Sequence, residues 1–168
     1  MALMRWKLWT RLLAGSLMIG IALAQQPEPP KNPSPGAQIV RVRTGSSCGW
    51  CGGPYYASET SVERALVVSI HRSRGDKKNY PDMKTKYRIT KQDWEELQHF
   101  IDARVLAAFT GRIGCPGCVD EPIEWAEVQF SDGTKKSVSY NAGNAPTAIA
   151  ELLKKIQVIG AKSLPQQK

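Results

Sequence analysis

The chain has 168 residues with 42% hydrophobic and 23% charged side chains, a formal charge of +8, four cysteines and two histidines. A length of this order suits one ordinary domain plus terminal extensions. No Ser-x-x-Lys or His-Glu-x-x-His occurs, which excludes some common classes of exported hydrolase.

At the N-terminus Arg5, Lys7 and Arg11 lead into an apolar run from Leu12 to Ala24, broken only by Gly15, Ser16 and Gly20. A run of about 13 residues is too short to span a bilayer, which needs about 20. It ends in Ala22-Leu23-Ala24, with small residues at the positions a signal peptidase reads. Residues 1–24 are therefore expected to be a cleaved signal peptide, leaving no transmembrane span and a periplasmic or secreted protein. No cysteine follows the site and no paired arginine precedes the run, which points to the general export route. Removing three basic residues lowers the formal charge from +8 to +5, enough for solubility and weak attraction to anionic surfaces.

Residues 25–37 contain Pro27, Pro29, Pro30, Pro33 and Pro35, which favour extended backbone, so this segment reads as a disordered Pro-rich linker. A single domain is expected over 38–159, with a flexible polar tail over 160–168. Ile39 to Arg43 reads as a short strand. Val62, Leu66, Val68 and Ile70 alternate with Glu63, Ala65, Val67 and Ser69 as a second, and Lys84 to Ile89 gives a third with Tyr87 and Ile89 inward. Thr90 then caps a helix, with Asp93 reaching back. Its apolar stripe runs through Trp94, Leu97, Ile101, Val105 and Ala108, and Gly111 is a plausible stop.

Two strands, Ile123 to Phe130 and Thr134 to Tyr140, flank Ser131-Asp132-Gly133. A two-residue turn would mix the faces of this hairpin. A three-residue loop with Gly133 left-handed pairs Val128 with Lys136 and Ala126 with Val138, keeping the apolar residues on one face. A last helix begins near Pro146 and presents Ile149, Leu152, Leu153 and Ile156. The expected fold class is α+β: a small antiparallel sheet with two helices packed on one face.

Cys48-Gly-Trp-Cys51 and Cys115-Pro-Gly-Cys118 are the pointed chemical feature. Four thiolates brought together by the fold would make a closed zinc site. An even cysteine count in an exported chain suggests disulfides, within each motif or crossed between them. A redox-active dithiol is the third reading, although neither pair opens a helix that would lower a thiol pKa. As disulfides or as a zinc cluster, the cysteines would tie the N-terminal strand region to the loop after the first helix. Beyond that one structural zinc, no cofactor is implied.

Gly114-Cys115-Pro116-Gly117-Cys118-Val119-Asp120, followed by Glu124-Trp125, resembles a segment found in a group of uncharacterised bacterial exported proteins with paired Cys-x-x-Cys turns. The resemblance covers about Gly45 to Ile156 and implies a similar element order and compartment. It implies no catalytic residues.

Other candidates are less specific. Nothing places His71 and His99 together. Asp120, Glu121, Glu124 and Glu127 read as an acidic patch rather than a pair across a cleft. Arg72, Arg74, Lys77, Lys78, Lys84, Lys86 and Arg88, against Asp76 and Asp82, form either a basic arm for an anionic envelope component or a solvated connection. Trp50, Tyr55 and Tyr56 either pack over the cysteines or form an exposed aromatic platform. Sparse aromatics among the cations and the compartment argue against nucleic acid. With no catalytic constellation, the expectation is a non-enzymatic, cysteine-stapled module that binds an anionic envelope component or another protein. A thiol–disulfide protein and a domain stabilised by zinc on all four cysteines are the alternatives.

Overall fold

The structure, a computed structural model, describes residues 32–50, 52–118 and 121–163. The expected signal peptide, most of the expected linker, Cys51 and the end of the expected tail lie outside the described residues. Strands β1 (Ile39–Ser47), β2 (Tyr55–Glu63), β3 (Leu66–Ser73) and β4 (Met83–Arg88) form a meander. Helices α1 (Lys91–Phe100) and α2 (Ala103–Ala107) follow, then the short β5 (Gly111–Arg112). The chain closes with the hairpin β6 (Ile123–Phe130) and β7 (Lys135–Asn141) and with α3 (Thr147–Ser163).

These strands make one seven-stranded sheet in the order β4-β3-β2-β1-β6-β7-β5. Every neighbouring pair is antiparallel except β5 and β7, which run parallel. The α+β class holds, but the sheet is larger than the small one expected and carries three helices rather than two. Val42, Val62, Val67, Ala126, Val128 and Val138 form the apolar centre of one face. Trp94 and Leu97 of α1, Val105 of α2 and Ile149 and Leu152 of α3 complete the same buried core.

The β6–β7 hairpin takes the register its sequence specifies, with Ala126 opposite Val138 and Val128 opposite Lys136. Gly133 sits at φ +84, where a side chain would be strained, and Phe130 N–H donates to Thr134 O at 2.9 Å. The Asp132 carboxylate accepts from Thr134 N–H at 2.9 Å and from the Thr134 hydroxyl at 2.6 Å. It also accepts from Ser34 N–H at 2.7 Å, which draws residues of the linker segment onto the hairpin. The Ser34 N–H, then Thr134, hold this carboxyl well below the usual carboxylate range.

Two expectations change. The alternation from Val62 to Ile70 is not one strand, because Arg64 and Ala65 turn the chain and pair Val62 with Val67. Both valines then face the core, and Leu66, Val68 and Ile70 lie half-buried on the opposite face. The single helix from Thr90 breaks after α1, where the Asp102 side chain accepts from Val105 N–H at 2.9 Å and caps α2. The apolar stripe survives the break, since Trp94, Leu97, Ile101 and Val105 are all buried. At the other end, α3 continues through Ser163, past the domain edge expected at 159.

Strand β2 has few apolar residues and is held by cross-strand polar pairs. Ser46 and Ser58 hydroxyls lie 2.9 Å apart, and Thr60 and Ser69 3.1 Å apart. On the sheet face away from the helices, Arg43 bonds Glu59 at 2.8 Å and Glu127 at 3.2 Å, and stacks 5.3 Å from the Trp125 ring centre. The ring in turn crosses β1 at Gly45. A Cβ there would lie 2.6 Å from both the Ser58 carbonyl oxygen and a Trp125 ring carbon. Gly45→Ala should therefore lower stability by about 1–3 kcal/mol, read as a lower urea midpoint with an unchanged m-value.

Asp93 joins the start of α1 to the end of α3. Thr90 accepts from Asp93 N–H at 3.0 Å and donates its hydroxyl to Asp93 Oδ2 at 2.6 Å, and Lys162 Nζ lies 3.1 Å from Asp93 Oδ1. The Thr90 hydroxyl, then Lys162, lower the Asp93 pKa. A carboxylate whose folded pKa is depressed stabilises the fold above its unfolded pKa and loses that contribution as pH falls through the folded value. Asp93→Asn should be less stable than wild type at neutral pH. Urea unfolding across a pH series should show the gap closing progressively below about pH 4.

Candidate functional site at the cysteine end of the sheet

Strand register brings several connections to one end of the sheet. Ser47 ends β1 opposite Ala57 of β2 and Ile123 of β6. Ser73 ends β3 opposite Tyr55, and Met83 opens β4 opposite His71. The turn after β1, the loop 74–82 and the segment leading into β6 therefore emerge together. Both cysteine motifs are on these connections.

Cys115 and Cys118 are joined in a disulfide across their own turn, with Cα atoms 5.4 Å apart. Gly114 and Gly117 flank Cys115 and Cys118 at φ +69 and +82, and Cys118 N–H donates to Cys115 O at 3.1 Å. Arg112 Nη2 donates to Pro116 O at 2.5 Å and fastens the turn to β5. Both cysteines of this pair are exposed. Cys48 is buried and disulfide-bonded. With Cys115 and Cys118 bonded to each other, the Cys48 bond does not run to the second motif. The expected tie between the N-terminal strand region and the loop after the first helix is therefore absent: the second disulfide closes a single turn. A zinc on Cys48, Cys51, Cys115 and Cys118 would need four thiolates, whereas Cys48, Cys115 and Cys118 are disulfide-bonded here.

Arg74, one of the expected basic-arm residues, has a different task. Its guanidinium donates to Cys48 O at 2.6 Å and to Gly49 O, and stacks 5.8 Å from the Tyr56 ring centre. Arg74 N–H also donates to Pro54 O at 2.8 Å, so the end of β3 buttresses the first cysteine turn. Trp50, in that turn, is 79% exposed and does not pack over the cysteines. Tyr55 half-buries beside His71, its ring edge-on at 6.4 Å.

The remaining cations divide clearly. Arg72 lies 3.7 Å from Glu59, and Lys77 3.1 Å from Asp82. Asp82 also accepts from Ser73 N–H at 2.9 Å, and Asp76 accepts from Asn79 N–H and Nδ2, so both acids of this stretch are engaged within the loop. These bonds lower both carboxyl pKa values, Ser73 N–H acting first on Asp82 and the Asn79 side chain first on Asp76. Lys78, Lys84, Lys86 and Arg88 have no acidic partner within ion-pair distance among the described residues. Lys84, Lys86 and Arg88 alternate along β4, an edge strand, and project from one face about 7 Å apart. On the same face Leu66, Val68 and Ile70 of β3 lie directly beside them.

The carboxylates expected as one acidic patch are divided. Glu127 pairs with Arg43 and, at 3.4 Å, with Lys135 on the face away from the helices. Glu124 belongs to the opposite face, across from Tyr140. Burial, then Glu124, pushes the Tyr140 hydroxyl up to about 12. Glu121 accepts from Asn141 Nδ2 at 2.6 Å, and Asp120 lies outside the described residues. His71 is on β3. His99 is on α1, beside a surface concavity of about 770 Å³ that also holds the 2.7 Å Lys155–Glu96 ion pair.

Closing a loop of four residues removes far less chain entropy than a crossed bond would. The chain-entropy relation gives about 2 kcal/mol for the local ring and about 4.4 for a loop of about 70 residues. Cys115→Ser/Cys118→Ser should therefore cost about 2 kcal/mol or less in urea unfolding. A loss of about 4 kcal/mol or more would contradict the local pairing.

No protein-family model matches the chain, and no curated protein is significantly similar to it.

Proposed function

We propose that this protein is an exported, non-enzymatic module that docks an anionic component of the cell envelope. The observation that carries the reading is the cationic row Lys84, Lys86 and Arg88 on the edge strand β4, which has no acidic partner among the described residues. Elsewhere on that face Arg41 bonds Glu63 at 2.8 Å, and Arg43 is held between Glu59 and Glu127. Charge is thus balanced at the sheet centre and left uncompensated at its edge. A regular row of cations suits an array of phosphates or carboxylates, whose attraction is electrostatic and salt-dependent. The N-terminal pattern of residues 1–24 supports the compartment.

The test is retention of the chain lacking residues 1–24 on immobilised polyphosphate. Retention should fall steeply with salt and be largely lost in Lys84→Glu/Lys86→Glu/Arg88→Glu, whose side chains are exposed and whose thermal midpoint should be close to wild type. Equal retention of the triple variant would contradict the reading.

The exposed Cys115–Cys118 disulfide favours a second reading, an extracytoplasmic thiol–disulfide protein. A partner's dithiol would be oxidised to a disulfide while Cys115 and Cys118 take up two electrons and two protons. Rapid alkylation of these two thiols after mild reduction, at a pH well below about 8, is the expected sign of a lowered thiol pKa. Alkylation only at the pH of an ordinary thiol would remove this reading.

A further inference from the structure

We infer that the cysteine end of the sheet is a contact tip for the surface of an anionic phospholipid bilayer. This rests on the docking function just proposed and names the envelope component. Among the described residues six large apolar side chains are exposed: Val40, Trp50, Tyr56, Tyr80, Met83 and Val158. Four of them, Trp50, Tyr56, Tyr80 and Met83, share this one end. Trp50 lies in the turn after β1, Tyr80 in loop 74–82, and Tyr56 and Met83 at the starts of β2 and β4. Their exposures are 79%, 49%, 38% and 46%, taking Trp50, Tyr80, Tyr56 and Met83 in turn. Leaving such a group in water is unfavourable by the ordinary hydrophobic measure, which points to a surface completed by something else.

The chemistry of the rim selects the occupant. Tryptophan and tyrosine present an apolar ring and a polar handle, the combination that settles at the headgroup level of a bilayer. Lysine stems add apolar length beneath a charge that stays wet. At this tip Lys78 lies in loop 74–82 and Lys84 follows Met83 at the start of β4, both without an acidic partner among the described residues, while Asp76 and Asp82 are engaged inside the loop. Protein–protein contacts are depleted of lysine at their centres, so a lysine-rich aromatic tip fits anionic lipid better than a folded partner.

The tip is also held ready. Arg74 fixes the Trp50 turn through the Cys48 and Gly49 carbonyls and the Tyr56 ring. In loop 74–82, Tyr80 N–H donates to Asp76 O at 2.9 Å while Asp82 is anchored to Ser73 N–H. Contact therefore needs little further ordering, which lowers the entropic cost of binding. Position along β4 separates the cations by their expected depth. Lys84 is one residue from Met83, whereas Arg88 lies about 13 Å further along the strand, beyond the few ångströms of headgroup depth on each side of the hydrocarbon.

The experiment uses the chain lacking residues 1–24, vesicles of phosphatidylglycerol mixed with phosphatidylcholine, and vesicles of phosphatidylcholine alone. Co-sedimentation should be strong with the anionic vesicles and weak with the neutral ones. Tryptophan emission should shift to shorter wavelength and be quenched by brominated lipid, and both signals should vanish in Trp50→Ala. Trp50→Ala/Tyr80→Ala/Met83→Ala should weaken vesicle binding by roughly tenfold or more, with polyphosphate retention kept as the control for folding. Lys84→Glu should weaken vesicle binding more than Arg88→Glu. Unchanged vesicle binding by the triple alanine variant would overturn the inference, as would equal binding to neutral vesicles. Retention on polyphosphate with no vesicle binding also overturns it and leaves the docking function standing. Binding to neither probe removes both.

Discussion

The ladder between β1 and β6 is the interaction on which the rest of the molecule depends. β1 is the middle strand of seven, and its bonds to β6 join residues far apart in sequence, as the Arg43–Glu127 contact across 84 positions shows. Without it the N-terminal meander and the C-terminal hairpin would be two narrow sheets. Each would carry only part of the apolar face that the helices cover. With it, Val42 and Val128 meet at the centre of one apolar face, and α1 and α3 have a common surface to cover. Such non-local pairing has to overcome loop-closure entropy before it returns any stability.

That seam is reinforced from the other side. Arg43 bridges an acid on each neighbouring strand while its guanidinium lies over Trp125, and Trp125 lies on the bare backbone of Gly45. An arginine with a planar fork can make two directed bonds and a stacked contact at once, which a lysine cannot. The exposed face is therefore zipped by polar groups where the buried face is closed by valines.

The parts of this fold legible in the sequence are those in which a local rule and a burial rule agree. The Asp132-Gly133 loop and the alternation on each side of it specify one register, because a slip of one residue would expose Val128 and Val138. The helix start at Thr90 is equally explicit. β2 was not legible because Ser58 to Ser61 carry no apolar alternation. The strand is held by hydroxyls and ion pairs on neighbours that the sequence does not place beside it. The alternation from Val62 to Ile70 misled for a related reason: a two-residue turn leaves the alternation in sequence intact but swaps the faces, so that Val67 rather than Leu66 or Val68 joins Val62 in the core. Asp102 broke the long helix as a capping side chain, yet Ile101 and Val105 kept the expected stripe. At the cysteine end, composition identified the cations and the cysteines but not their relations. Nothing in a run of basic residues distinguishes Arg74, engaged on the Cys48 turn, from Lys84, which is not. The carboxylates that neutralise Lys77 and Arg72 became evident only from their bonds.

The two edges of the sheet have different fates. At one, the two residues of the parallel strand β5 pair with Val138 and Ser139 of β7, and Ile113 N–H donates to Ser139 O just beyond them, so the middle of that border is covered. At the other, no described strand pairs with the outer side of β4, whose backbone groups form the kind of template on which sheets grow from molecule to molecule. Its lysines and arginine oppose such growth by mutual repulsion between copies, and that repulsion reaches only about 10 Å in 0.1 M salt and about 3 Å in 1 M. The protection is electrostatic rather than steric, so concentrated salt removes it without unfolding the domain. The tendency of this protein to self-associate is thereby tied to the ionic strength around it.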